Sequence, residues 1–204
     1  MDLDLFFCAL QAGRSGAEYR LIMAAYDTAS LIHNGQVRDS GEQFINHPRR
    51  VGELLLVHGC GSTEEIILGF LHDVEEKSDI SGQGIVHNFG AAMWEWIVIL
   101  SNEITVRNPI TGRVLERTRK TPENYFGPIS LSCPKVVCAK LADRLDNTLT
   151  MFPWTRQKKL EYIRETREYL LKPFARKASE SLFIDIQEQC DQVEALLRET
   201  VRSF

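Results

Sequence analysis

An uninterrupted apolar run, Ile66-Ile67-Leu68-Gly69-Phe70-Leu71, leads straight into the dipeptide His72-Asp73. A run with no polar face reads as a helix buried all round. An imidazole and a carboxylate carried into such an interior are costly unless both are satisfied there. A divalent metal ion satisfies both. The helix therefore demands a fold that gathers further metal-capable side chains around it. The candidates are His47 upstream, Asp143 downstream and the acidic pair Glu75-Glu76 one turn along the same helix.

The rest of the chain is patterned mostly for helix. Tyr19, Ile22, Met23, Tyr26, Ala29 and Ile32 recur at helical spacing over 17–34, and Gly35 is a natural stop. His47-Pro48 opens a helix through Val51, Leu54, Leu55 and Leu56 to Gly59, with Pro48 suited to its first turn. Ser62-Thr63-Glu64-Glu65 offers N-caps and early acidic residues to the His72-Asp73 helix. Residues 83–101 read as one or two helices broken near Gly90. Pro109-Ile110-Thr111-Gly112 is a turn signal between Ile104-Thr105-Val106 and Val114-Leu115, so a small hairpin or irregular loop is expected around 102–124. Pro134 starts a helix to about Met151, a charged helix follows at 155–171, and a last helix at 179–201 carries the stripe Leu182, Ile186, Cys190, Val193, Leu197 and Val201. That stripe packs on its own domain or pairs with a second copy, which leaves an oligomer open. The expected fold is all-α and single-domain, with 1–16 as an N-terminal extension and 17–204 as the domain proper.

The 204 residues suffice for one sizeable core, and 44% hydrophobic with 25% charged residues is ordinary globular composition. A net charge of −4 gives no general attraction to duplex nucleic acid or anionic membrane, and no apolar run is long enough to span a bilayer. The acidic start, Met1-Asp2-Leu3-Asp4, does not read as a secretory signal. Five cysteines without a CxxC fit reduced thiols, so a cytoplasmic location is expected.

Two histidines and two carboxylates make a mixed N/O donor set suited to Mn²⁺, Fe²⁺, Co²⁺ or Zn²⁺ more than to Ca²⁺. Adjacent helix residues point about 100° apart, so His72 and Asp73 can share one ion. Glu76 lies four residues past His72, near the same face, and is the best candidate general base. Asp143 and Asn147 repeat that spacing on a second helix. Each piece alone has a bland structural reading: His47 as a helix-entry residue, Asp143 in a salt bridge with Arg144, His33 as a cap against a helix dipole, and His58 and His87 as surface residues. The ordered set, each member at a helix start or on an apolar helix, is what raises the site above those readings. Arg107, Arg113, Arg117, Arg119 and Lys120 make 102–124 locally basic. Part of this loop either faces substrate phosphates, with Arg144 or Lys140 joining it, or is simply a solvated basic loop. Tyr125 is a candidate wall for a base or ribose, and Phe126 reads as core.

The ordered H…HD…D set resembles the HD-domain metal phosphohydrolases. The segment from His33 to Pro48, His-Asn-Gly-Gln-Val-Arg-Asp-Ser-Gly-Glu-Gln-Phe-Ile-Asn-His-Pro, is similar to the guanosine tetra/pentaphosphate hydrolase domain of RelA/SpoT proteins. Leu71-His72-Asp73-Val74, the run Lys140 to Asn147 and the later Glu165-Thr166…Tyr169…Pro173…Ala175 extend the likeness to roughly residues 20–180. The resemblance implies that His47, His72, Asp73 and Asp143 bind one Mn²⁺. It also implies that Arg38 and Ser40 touch the guanine end, that Asn147 contacts ribose or phosphate, and that Glu76 handles the attacking water. The implied reaction is 3′-pyrophosphate hydrolysis giving GDP or GTP and pyrophosphate. With no synthetase half in the sequence, a stand-alone small alarmone hydrolase is expected.

Two departures matter. Lys77 stands where the family usually has an acidic partner for Glu76, and it either binds phosphate or lowers the rate. Asp146 stands where many members have His, flanks the site and is expected to be tolerated. Lys77 keeps two other readings open: an HD phosphohydrolase acting on another phosphorylated nucleotide, such as NADPH or an RNA 3′ end, or a catalytically weakened nucleotide-binding regulator.

Overall fold

The computed structural model describes residues 2–78 and 82–202, without the side chains of 200–202. In chain order the elements are helices α1 (Leu3–Gln11), α2 (Gly16–Ile32), α3 (Asn46–Val57), α4 (Thr63–Leu71), α5 (Val74–Lys77), α6 (Gly82–Phe89) and α7 (Ala91–Leu100). A hairpin of β1 (Glu103–Arg107) and β2 (Val114–Arg119) follows, then α8 (Pro122–Ser130), α9 (Pro134–Thr150) and α10 (Arg156–Glu165). A π-helical turn (Thr166–Leu170), α11 (Pro173–Ala178) and α12 (Glu180–Arg202) complete the chain. The fold is helical with one small antiparallel sheet, as the patterning implied. Among the described residues no helix is long and apolar enough to cross a membrane.

Local chemistry sets most boundaries. Capping boxes start α2 (Ser15 with Glu18) and α4 (Ser62 with Glu65), each satisfying backbone donors that a helix start leaves open. Gly90, at φ 89°, separates α6 from α7 in a conformation that a residue with a Cβ adopts only under strain. The close crossing of α3 and α4 depends on glycine too: a Cβ on Gly52 would stand 2.8 Å from the Phe70 ring. That crossing brings the start of α3 against the end of α4.

Helix α9 packs against α3, α4 and α12. Its Val136, Val137, Ala139, Leu141 and Ala142 are buried in the core, and so are its charged Lys140, Asp143, Arg144 and Asp146. A central helix that buries charge as well as hydrocarbon is the main way the fold builds a polar interior. Phe6 and Leu10 of α1 are also fully buried in this core, so residues 3–11, set apart above as an extension, pack as part of it.

The structure departs from the sequence expectations at several points. The His72-Asp73 helix ends at Leu71; the chain turns through His72 and Asp73 and restarts as α5. The turn lets both side chains face one point. Helix α8 begins inside the segment expected to be hairpin or loop, started by Thr121, whose side chain accepts from the Asn124 N–H, and by Pro122 at the first turn. The charged helix at 155–171 changes to π geometry at Thr166, where the hydroxyl bonds the Tyr162 carbonyl and Arg144 bonds the hydroxyl. His58, expected on the surface, is largely covered and sits between Ser181 (2.7 Å) and Asp185 (3.4 Å), tying the end of α3 to α12. His87 is exposed. In the last helix Leu182, Ile186 and Cys190 are fully buried, and the side chain of Val201 lies outside the described residues.

Candidate metal centre and active site

His47 lies in the first turn of α3, His72 caps the end of α4, Asp73 follows it, and Asp143 projects from the middle of α9. The fold brings these four together. His47 Nε2 is 3.2 Å from His72 Nε2, 3.2 Å from Asp143 Oδ1 and 3.6 Å from Asp73 Oδ2. His72 Nε2 is 3.4 Å from Asp73 Oδ1 and 3.7 Å from Asp143 Oδ1. The other nitrogen of each ring is committed: His72 Nδ1 faces the Gly69 carbonyl at 2.8 Å and His47 Nδ1 faces Asp146 Oδ2 at 2.6 Å. Acceptors at both Nδ1 atoms make them donors, which turns the two Nε2 lone pairs inward. Lone pairs facing each other need a proton or a cation between them, so this buried donor set fits a divalent ion. Burial alone would lower the His47 pKa, but hydrogen bonds with Asp143 and Asp146 and the charge of Asp73 outweigh it and push it up to about 9. A divalent ion bound there would therefore displace a proton.

Asp143 is anchored from its own helix. Lys140 Nζ bonds Oδ2 and Asn147 Nδ2 bonds Oδ1, each at 2.6 Å. Burial would raise this carboxyl, but Lys140 and the two imidazoles hold it well below the usual carboxylate range. Lys140 also lies over the Tyr125 ring at 4.8 Å. Arg144 is sandwiched against the Tyr162 ring at 3.9 Å and paired with Glu165 at 2.9 Å. Both cations, expected to be free for phosphate, are thus committed to protein partners, although both border the cavity described next.

A cavity of about 1130 Å³ is lined by the four candidate ligands and by Arg38, Ser40, Glu76, Lys77, Lys140, Arg144 and Asn147, so every sequence-predicted site residue borders one space. Tyr125 lines it, while Phe126 does not and is core. The basic loop divides. Arg107 pairs with Glu75 at 2.6 Å and Arg117 bonds the Ser78 carbonyl, so both fasten the hairpin to α5. Arg119 and Lys120 line the cavity, and Lys120 caps the Ser101 carbonyl at 2.6 Å.

Glu76 accepts a hydrogen bond from the Asn102 N–H at the start of the hairpin. Burial, and then the charge of Asp73, push its pKa up to about 7, with the Asn102 N–H and Lys77 opposing. Lys77 Nζ stands 4.0 Å from the Glu76 carboxylate on a side chain 43% exposed, enough to reach solvent or a ligand. Glu75 points away to Arg107 and does not replace the missing acid. The Arg38–Ser40 turn is closed by an Arg38 N–H bond to the Glu42 carbonyl and by Gly41 at φ 83°. Arg38 donates to Asn147 Oδ1 at 2.6 Å, and the Ser40 hydroxyl is buried with no partner among the described residues, as suits a group kept for a ligand.

Sequence reasoning missed several residues here. Asp146 does not merely flank the site: it is buried against His47 and is held below the usual range, because His47 and Arg50 outweigh its burial. His33 is the C-cap of α2, as its place in the sequence suggested, and its buried ring also stacks on Phe44 at 4.6 Å, with Nδ1 on Gln36. Trp154 also lines the cavity, with Lys158 over its ring at 4.2 Å and that lysine paired to Asp39 at 2.9 Å. The usable signal was helical spacing: Asp143, Asp146 and Asn147 share one face of α9.

No family model matches the chain. It is 32% identical over 149 residues to the guanosine-3′,5′-bis(diphosphate) 3′-pyrophosphohydrolase of Aquifex aeolicus, covering 72% of this chain and 20% of that protein. A Synechocystis protein named for the same activity is 35% identical over 158 residues, covering 74% of this chain and 19% of its own length. A Streptomyces coelicolor protein named GTP pyrophosphokinase is 30% identical over 149 residues, 73% of this chain and 17% of that protein. The chain thus spans about a fifth of these relatives. A solved structure described as a metazoan orthologue of SpoT that hydrolyses ppGpp shares the fold with a TM-score of 0.70 at 20% identity, over 89% of this chain and 98% of that one. Over about three quarters of its length the chain is thus similar in sequence to RelA/SpoT-type proteins, and it shares the fold of a SpoT orthologue.

Proposed function

We propose that the chain hydrolyses the 3′-pyrophosphate of guanosine tetra- or pentaphosphate, leaving GDP or GTP and releasing pyrophosphate. The observation that carries this reading is the convergence of His47, His72, Asp73 and Asp143 in one cavity with Glu76 and the Arg38–Ser40 turn. The bound ion, for which Mn²⁺ is our choice, would acidify water and screen phosphate charge. Glu76 takes a proton from the attacking water as its oxygen bonds to the 3′ phosphorus; the bond from that phosphorus to the ribose 3′ oxygen breaks, and the departing oxygen takes up a proton from Glu76 or solvent. Arg38, Ser40 and Asn147 hold the nucleoside. Lys77 and Lys120 face the phosphates, with Lys140 and Arg144 acting behind Asp143 and Tyr162. We assign the protein to the cytoplasm on its reduced cysteines.

Metal-stripped protein resupplied with Mn²⁺ and offered guanosine tetraphosphate, NADPH or simple nucleotides tests this. Pyrophosphate released from the first alone is the expected result. Phosphate from another nucleotide, or binding without turnover, would move the assignment to the second substrate class or to a regulator, the reading that Lys77 favours.

The pH profile is a separate expectation. Glu76 acts as a base only when ionised, so kcat/KM should rise with pH and level off at or below about 7, because a divalent ion in the same cavity would draw the Glu76 pKa down. Lys77 lowers the Glu76 pKa. Lys77→Asp replaces an attractive charge with a repulsive one and should move the acid limb up by about one pH unit. An acid limb that stays in place in the variant would show that Glu76 is not the titrating base.

A further inference from the structure

Asp146 borders the ligand set without joining it. The residue is 1% exposed, and its carboxylate accepts from three side chains. His47 Nδ1 reaches Oδ2 at 2.6 Å, Arg38 reaches the same oxygen at 3.3 Å, and Arg50 spans both oxygens at 2.5 and 3.1 Å. Arg50 in turn grips both oxygens of Glu42 at 2.8 Å, in the turn that carries Ser40. We propose that Asp146 is a positioning residue for the metal ligand His47, an anionic partner at Nδ1 that fixes the ring and strengthens its Nε2 as a donor to the ion. The inference rests on the metal reading above.

Three features support it. The Nδ1 contact leaves His47 only Nε2 with which to bind, and Nε2 is the atom that faces Asp143 and His72. An ionised carboxylate at that position raises imidazole basicity, whereas a neutral acceptor orients the ring with little such gain. The carboxylate is itself held in place: α9 presents it three residues from Asp143, and Arg50 locks it from α3, the helix that carries His47. One helix face thus supplies a ligand, the partner of another ligand and, at Asn147, an anchor for Arg38. This anionic partner is a feature of the present chain, since the residue expected there from the resemblance is a histidine.

Calorimetric titration of Mn²⁺ into the metal-stripped full chain tests the proposal without reference to turnover. Asp146→Asn keeps the size and an acceptor oxygen but removes the charge. Mn²⁺ affinity should fall 10- to 100-fold, and Asp146→Glu should recover part of it. An Asp146→Asn protein that stays folded and binds Mn²⁺ within about twofold of wild type would overturn the proposal. If that variant does not fold, Arg50→Gln loosens the carboxylate while leaving the His47 contact. A loss of about tenfold then supports the role, and unchanged affinity overturns it. Wild-type protein that binds no divalent ion would overturn the metal reading itself and this role with it. Metal binding without pyrophosphate release would overturn only the substrate assignment.

Discussion

Glu76→Gln should lower kcat by about 10²- to 10⁴-fold while leaving Mn²⁺ affinity nearly unchanged. The carboxylate lines the cavity but lies outside the close group formed by His47, His72 and Asp73, so removing its charge should spare an ion held there. Glutamine keeps the acceptor for the Asn102 N–H and hence the tie to the hairpin, which isolates the loss of basicity from any loss of structure. Single-turnover rates and Mn²⁺ titration of the same sample decide the matter. A variant within tenfold of wild type would remove Glu76 from the proton-transfer role.

The second large effect belongs to Asp73→Ala. This change deletes one of the two carboxylates at the centre and leaves His47 and His72 facing each other with less negative charge to hold a cation. Metal binding and pyrophosphate release should be lost together, with activity at the level of the uncatalysed reaction. Excess Mn²⁺ that restores turnover would reduce Asp73 from an essential ligand to a contributor, and full activity at ordinary Mn²⁺ would end its assignment as a ligand.

The elements that position the site were legible because local rules place them. Ser62 and Glu65 announce α4, its apolar run announces burial, and Pro109 to Gly112 announces the hairpin turn. Thr121-Pro122 carried the signal for α8 as well, but the turn signals before it masked it. Charge bookkeeping was not legible. Whether Lys140, Arg107 or Arg117 is available to phosphate depends on Asp143, Glu75 and Ser78, and on which way each side chain turns in the folded protein. Asp146 was misjudged for the same reason, because its partner His47 is 99 residues away and neither residue's neighbours reveal the pairing.

The candidate ligands come from α3, the end of α4 with the residue after it, and α9, so the four side chains converge only when α9 is docked. Proton and metal ion then act as alternative clamps on that docking. With His47 pushed up to about 9 from 6.5, the proton's contribution to stability is complete below the unfolded value and fades as pH climbs through about 9. A divalent ion bound there would have to displace that proton, so it would bind better over the same rise and stabilise the fold by an amount that grows with the logarithm of its concentration above its Kd. The seam between α9 and the α3–α4 pair would then be held by a proton on the acid side and by metal on the alkaline side, so its cohesion in a metal-replete solution should vary less with pH than that of the stripped protein.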